Sequence, residues 1–213
     1  MAYIGENAIE IEPVATDEGL APLARLILSQ LPACDDLLIR QQLGATLREF
    51  CRETDACVVE QFTRARDGRF LHGCHCFPVA AIPQGMVLGT VLEVRVNGHE
   101  VPFDVEKFPA PTVRIRRVIC EDDNVLIRFS TYPKVGGEVC PKWFLDRYAE
   151  AITAGTMYNL LSMSKRGWSD PQRAAQFGAT YQGAISEAAY RRLHGDASDS
   201  GQMSAVPCGG LFM

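Results

Sequence analysis

Long apolar runs are missing from this sequence: no stretch approaches the ~18–20 consecutive apolar residues of a membrane span. Met1 to Pro13 carries three Glu and no Lys or Arg, the reverse of a signal peptide's basic start, which predicts synthesis and folding in the cytoplasm. Neither a Gly-x-Ser-x-Gly elbow nor a Gly-rich phosphate loop ending in Lys-Ser or Lys-Thr is present. The four histidines stand at no spacing that favours a catalytic dyad. The expectation is a protein that is not an enzyme, has no cofactor and enters no membrane.

Net basic charge is lacking too. The chain carries -5, unevenly spread: residues 1 to 60 have eleven acids and four bases, and the remainder fifteen acids and seventeen bases. Holding DNA by its phosphates needs clustered Lys and Arg, so an acidic chain near DNA is expected to let it slide past without specific binding.

What is present is an ordinary globular composition, 47% apolar and 22% charged over 213 residues, enough for one sizeable core or two small ones. Eight cysteines would suggest disulfides in a short secreted chain. Cys34, Cys51, Cys57, Cys120, Cys140 and Cys208 are instead scattered, mostly beside apolar residues, and predict buried thiols in a reducing compartment.

Residues 1 to 18 lack periodicity and suggest an extended arm. Leu20 to Leu31 is a short helix candidate stopped by Pro32. Asp35 and Asp36 can cap a second helix running to about Thr54, where Ile39, Leu43, Leu47 and Phe50 fall on one face. From Cys57 the pattern turns to strands. Three hairpins are predicted: Val58 to Arg66 with Arg69 to Phe77 about Asp67-Gly68, Val87 to Val96 with His99 to Phe103 about Asn97-Gly98, and Thr112 to Cys120 with Asn124 to Thr131 about Glu121-Asp122-Asp123. Six hairpin-linked strands imply an antiparallel sheet or small sandwich.

Pro133 to Cys140 turns back into helix, with Pro141 expected in its first turn. Phe144, Tyr148, Ile152 and Tyr158 to Leu161 give it one apolar side to about Met163, and Ala149, Ala151, Ala154 and Gly155 are small enough to admit a close neighbouring helix. Lys165-Arg166-Gly167 closes it. Ser169-Asp170-Pro171-Gln172 has the form of a capping box, with Ser169 as cap. Ala174, Phe177, Gly178, Tyr181, Ile185, Ala188 and Leu193 then carry a stripe to about His194, and the short connection predicts an antiparallel helical hairpin. The predicted fold class is α+β: a helical bundle from both chain ends with an inserted antiparallel β region and a flexible C-terminal tail. Its parts are an N-terminal arm (1–18), N-terminal helices (19–55), the β region (56–132), the C-terminal hairpin (133–195) and a Gly/Ser-rich tail (196–213).

That tail ends in Leu211-Phe212-Met213, three large apolar residues at a solvated terminus, which read as a plug for a pocket in a partner or as a frayed end. His72-Gly73-Cys74-His75-Cys76 offers four zinc-type ligands. Alternation along a strand, however, puts His72, Cys74 and Cys76 on one side and His75 on the other, and no second ligand pair stands elsewhere, so ordinary strand residues are expected and no metal. Arg114 and Arg116 share a strand face and form, with Arg117, the densest basic stretch. They fit either an ion-pair row with a neighbouring subunit's acidic N-terminal half or a solvated sheet face. Trp143 and Trp168 stand near the two C-terminal helix starts and are expected to pack locally.

Several stretches together resemble the head-to-tail adaptor family of tailed bacteriophages, especially the tail-tubular adaptors of short-tailed phages. Arg48-Glu49-Phe50-Cys51-Arg52-Glu53-Thr54 is similar to the end of that family's second helix, and Asn97-Gly98 after Val94 and Val96 to its β-hairpin. The resemblance is fullest in Pro141, Tyr148-Ala149-Glu150-Ala151-Ile152, Leu160-Leu161, Trp168-Ser169-Asp170-Pro171 and Ala174-Ala175, and it covers about residues 30 to 195. It departs at Asp55-Ala56-Cys57, where the family often has an aromatic. The resemblance implies a virion protein of the head–tail junction: a ring, usually of twelve copies, beneath the portal protein, meeting a tail tube or nozzle protein and surrounding the channel DNA crosses. The alternatives are another phage neck or tail-completion protein and, from a different class, a small metal-binding or redox protein using Cys74, His75 and Cys76.

Overall fold

The computed structural model describes residues 16–71, 73–107, 110–117, 119–136 and 140–194. Helix α1 spans Thr16–Gln30, beginning before the expected Leu20 and taking Pro22 inside. Leu20, Ala24, Ile27 and Leu31 recur at helical spacing and are buried. Helix α2, Asp36–Thr54, starts where the sequence predicts: the Asp35 carboxylate accepts from the Leu37 amide at 2.7 Å. Its stripe Ile39, Leu43, Leu47 and Phe50 is fully buried.

Helices α3 (Lys142–Leu161) and α4 (Pro171–His194) pack antiparallel. Pro141 caps α3 instead of lying inside its first turn. Asp170, and not Ser169, caps α4, its carboxylate accepting from the amides of Gln172 and Arg173 at 3.1 and 3.0 Å. The shift by one residue has a cause: Pro171 takes the first helical position, and a carboxylate is the stronger acceptor at a positive helix end. The Ser169 hydroxyl turns back to the Leu161 carbonyl instead.

Among the described residues, eight strands form two antiparallel four-stranded sheets. The first has the order β1 (Val58–Arg64), β8 (Asn124–Pro133), β4 (Met86–Val96), β5 (His99–Glu100). The second has the order β2 (Arg69–Leu71), β3 (Cys74–Pro78), β7 (Thr112–Ile115), β6 (Phe103–Glu106). One core lies among the four helices, joined by Cys57, Met86 and Cys140. A second lies between the sheets, from Val59, Phe77, Val94, Val113, Ile115, Ile127 and Phe129 among others.

This architecture overturns the expected helical bundle with a β insert. The chain is α+β, but its sheets are substantial, two in number, and enclose a core of their own. Two of the three hairpins fall with it. Asp67 closes a short 3-10 turn and Gly68 is extended, so β1 leaves its neighbour in sequence and pairs with β8; the tight reversal comes later, where Gly73 has a φ of 78°. Glu121-Asp122-Asp123 likewise joins strands of different sheets, the chain crossing over from β7 to β8. Only Asn97-Gly98 is the expected two-residue turn, with φ of 50° and 82°. Alternation tells that a strand is half-buried; it does not tell which strand it will meet. Of the predicted arm (residues 1 to 18), residues 16 to 18 belong instead to α1, and the rest of it, like the predicted tail, lies outside the described residues.

Candidate interaction surface

Small residues let the helices close tightly. A Cβ at Gly155 would stand 2.7 Å from the Thr46 methyl of α2 and equally near the Tyr181 ring of α4, so three helices meet there. At Gly178 it would stand 3.0 Å from the Tyr158 ring. Phe50, Phe144, Tyr148 and Tyr181 form an aromatic cluster beside this contact, the ring centroids of Phe144 and Tyr148 being 4.8 Å apart.

The buried stripe of α4, Ala174, Tyr181 and Ala188, leaves the opposite side to solvent. That outer side carries Ala175, Ala179, Gly183, Ser186, Tyr190 and Leu193, all exposed, at steps of three or four residues. Tyr190 and Leu193, one turn apart, are 63% and 68% exposed, which makes this end a candidate contact surface. Beside it runs an open groove of about 350 Å³ between α3 and α4, whose lining includes Ala151, Gly183 and Ala184 and the charged Arg147, Glu150, Glu187 and Arg191. Glu187 and Arg191 pair across one turn. Its walls carry equal numbers of opposite charges, so it suits a neutral or mixed-charge surface better than an anion.

A polar junction ties the helices to the sheet. Asp55, in the left-handed conformation that ends α2, accepts from the Ser130 hydroxyl of β8 at 2.5 Å and lies 3.6 Å from the Arg192 guanidinium of α4. Ser130 is itself held against β4: the Thr90 amide donates to it at 2.8 Å, and any Cβ at Gly89 would collide with it at 2.4 Å. Asp55 thus stands at the joint between the helices and the first sheet. Nothing in the local sequence announces it, since its partners lie 75 and 137 residues away.

Of the residues singled out from sequence, Arg114 pairs with Glu106 and Arg116 with Asp104 at 2.8 Å. Both acids belong to the chain's own β6, across the sheet, and not to residues 1 to 60. The Glu106 carboxylate, by hydrogen bond and then by charge, raises the Arg114 pKa further. Cys74 and Cys76 are buried on one side of β3, as alternation implies, and His75 meets the Phe70 ring edge-on with centroids 4.9 Å apart. Among the described residues no group of His, Cys, Asp and Glu is arranged to hold a metal ion; His72 lies outside them. Trp143 stacks edge-on against Phe144 at 5.6 Å, and Trp168 packs on the helical core with the Arg166 guanidinium 5.7 Å from its ring. Leu211, Phe212 and Met213 lie outside the described residues.

Two features escaped the sequence. Arg128 of β8 reaches Glu60 of β1 and Glu93 of β4, each at 3.1 Å, a charge row across three strands. Cys51, Cys57 and Cys140, scattered in sequence, all lie buried in the helical core.

Among the described residues no helix is long and apolar enough to cross a membrane. Neither a family model nor a curated protein matches the chain.

Proposed function

We propose that this chain is a structural adaptor subunit of the head-to-tail junction of a tailed bacteriophage, assembling as a ring beneath the portal. Its work is mechanical, joining capsid to tail while DNA passes through the channel. The observation that carries the reading is the exposed outer side of α4: small residues at Ala175, Ala179 and Gly183, then Tyr190 and Leu193, form a low-charge helix face of the kind that a second copy covers. The cadence of α3, the Trp168-Ser169-Asp170-Pro171 turn and α4 supports it, as the part of the chain most similar to the adaptor family. The acidic balance suits a passage that must not grip its DNA.

In this reading the seam between subunits runs along α4, and Leu211-Phe212-Met213 docks into the portal or a neighbouring copy. Mass measurement of the purified protein, alone and with a portal ring, tests it. A ring, or a complex of defined stoichiometry with portal, is expected; removal of residues 196 to 213 is expected to leave a folded chain that no longer joins portal. A persistent monomer that no portal preparation binds would overturn the assignment.

A further inference from the structure

The charge pattern of the second sheet is complete at one edge and open at the other. Asp104, Arg114, Cys76 and Arg69 stand opposite one another across β6, β7, β3 and β2, and so share one side of it. Arg114 and Arg116 meet Glu106 and Asp104 of β6. Arg69, on the edge strand β2, meets no acid. Arg64 and Arg66, in the turn that leads to β2, are exposed like Arg69, and among the described residues none of the three stands in an ion pair. The acid of that turn, Asp67, is already engaged by the Arg64 amide and the Thr63 hydroxyl.

No strand among the described residues pairs with the outer side of β2, where Phe70 and Leu71 are 60% and 49% exposed. The edge is seated on the core beneath it, since a Cβ at Gly68 would stand 2.5 Å from the Phe77 ring. Arg69 and Leu71 point to one side of β2 and Phe70 to the other. A strand that completes this edge therefore needs acidic and apolar residues in alternation.

One stretch of the chain has that pattern. Its first eighteen residues have no period as a whole, but Ile9-Glu10-Ile11-Glu12 alternate within them, and residues 1 to 15 carry three Glu and no base. Pro13 disfavours a helical backbone at Glu12. The other edges suit such a stretch less: β6 presents Asp104 and Glu106, β1 presents Glu60, and β5 has only two residues.

We propose that residues 9 to 12 of one copy add as a strand to β2 of a second copy, Glu10 and Glu12 facing Arg69 and the arginines of its turn, Ile9 and Ile11 beside Phe70. Chain length assigns the segment to a second copy. The three residues between Glu12 and α1 reach at most about 11 Å, and α1 enters the helical core at Leu20. Cys57 belongs to that same core, and from there β1 carries the chain away over seven residues, roughly 23 Å, to the arginine turn. This contact is separate from the α4 seam and requires only that two copies meet, whatever structure they build.

The full chain carrying Arg69→Lys is treated with a carbodiimide, which joins carboxylates to amines, and covalent dimers are separated from monomers by denaturing electrophoresis and digested with trypsin. Arg25 is the first basic residue, so the acidic segment leaves on peptide 1–25. Glu10 or Glu12 joined to position 69 is expected in the dimers and not in the monomer. Two further variants test the charges: Arg66→Glu with Arg69→Glu, and Glu10→Lys with Glu12→Lys. Each alone should self-associate roughly tenfold more weakly or worse. Their mixture should recover, because each segment then finds an edge of opposite charge. Native mass spectrometry reads the association, and urea unfolding checks that both variants remain folded. Oligomers without that crosslink would overturn the proposal while leaving the α4 seam standing. A crosslink confined to the monomer would return the segment to its own chain, and a charge-swapped mixture that stays dissociated would remove the ion pairs; either overturns it. So does a chain that is monomeric at every concentration. Retention of a single-stranded oligonucleotide that the Arg66→Glu, Arg69→Glu variant loses, with no crosslink, would give the arginines to nucleic acid instead.

Discussion

At the scale of single residues, Tyr181 is where the interior carries a polar group without reward. Its ring completes the helical core, it is 4% exposed, and its hydroxyl has no hydrogen-bond partner among the described residues. Burial first, then the charges of Glu49 and Glu53, push its pKa upward. The folded state therefore keeps the phenol proton to higher pH than the unfolded chain does. The associated stability is whole below the unfolded value of about 10 and declines as pH rises toward the folded one. Tyr181→Phe is expected to stabilise the protein by about 1 kcal/mol at neutral pH, because an unsatisfied buried hydroxyl is removed. It should also remove the corresponding part of the alkaline decline. Urea unfolding at neutral pH and at about pH 10.5 measures both, and a destabilised variant at neutral pH would mean that the hydroxyl has a partner after all.

At the scale of elements, the approach of α2, α3 and α4 can be read out with one kind of substitution made at two places. Gly→Ala inside a helix gains roughly 0.5–1 kcal/mol when nothing opposes the new methyl. Gly183, with no atom within 4 Å of an added Cβ, meets that condition, so Gly183→Ala should raise stability by that amount. At Gly155 the same methyl would fall 2.7 Å from Thr46 and Tyr181, and overpacking of about 1–3 kcal/mol outweighs the propensity gain. Gly155→Ala should therefore destabilise. Opposite signs in denaturant midpoints are the expected result, and two gains would mean that the three helices do not meet this closely.

The same elements explain what the sequence made legible. Ile39, Leu43, Leu47 and Phe50 declare their helix within one window, because a helix's hydrogen bonds and its buried face are both local. Asn97-Gly98 is legible for the same reason: both residues of the turn carry the positive φ themselves. Asp67-Gly68 has equally good turn residues but not that backbone, because the partner of β1 arrives some 60 residues later, as β8. Which strands pair, which sheet each joins, and how Asp55 finds Ser130 depend on contacts that no window contains. The candidate surface was half legible. The inward stripe of α4 is legible in Ala174, Tyr181 and Ala188, but Leu193, expected on that stripe, is exposed on the other side, and the alanine, glycine and serine of the outer side carry no chemical signal of their own.

At the scale of the whole molecule, the two cores are tied by a joint of Asp55, Ser130 and Arg192, while the low-charge side of α4 is exposed. That geometry separates stability from assembly. The inward face of α4 holds the fold and its outward face is exposed, so changes at Ala179 and Leu193 on the outer side should leave the monomer intact. Ala179→Lys and Leu193→Lys place charge on exposed positions, where substitutions ordinarily shift unfolding free energy by no more than about 0.5 kcal/mol. If α4 is the seam between copies, each new ammonium group must be desolvated there or must hold the subunits apart, and assembly should fail although the midpoint of urea unfolding is unchanged. Native mass spectrometry beside urea unfolding separates the two quantities. An intact ring from the double variant would remove α4 as the seam, and a lowered unfolding midpoint would show that these side chains belong to the monomer's own fold.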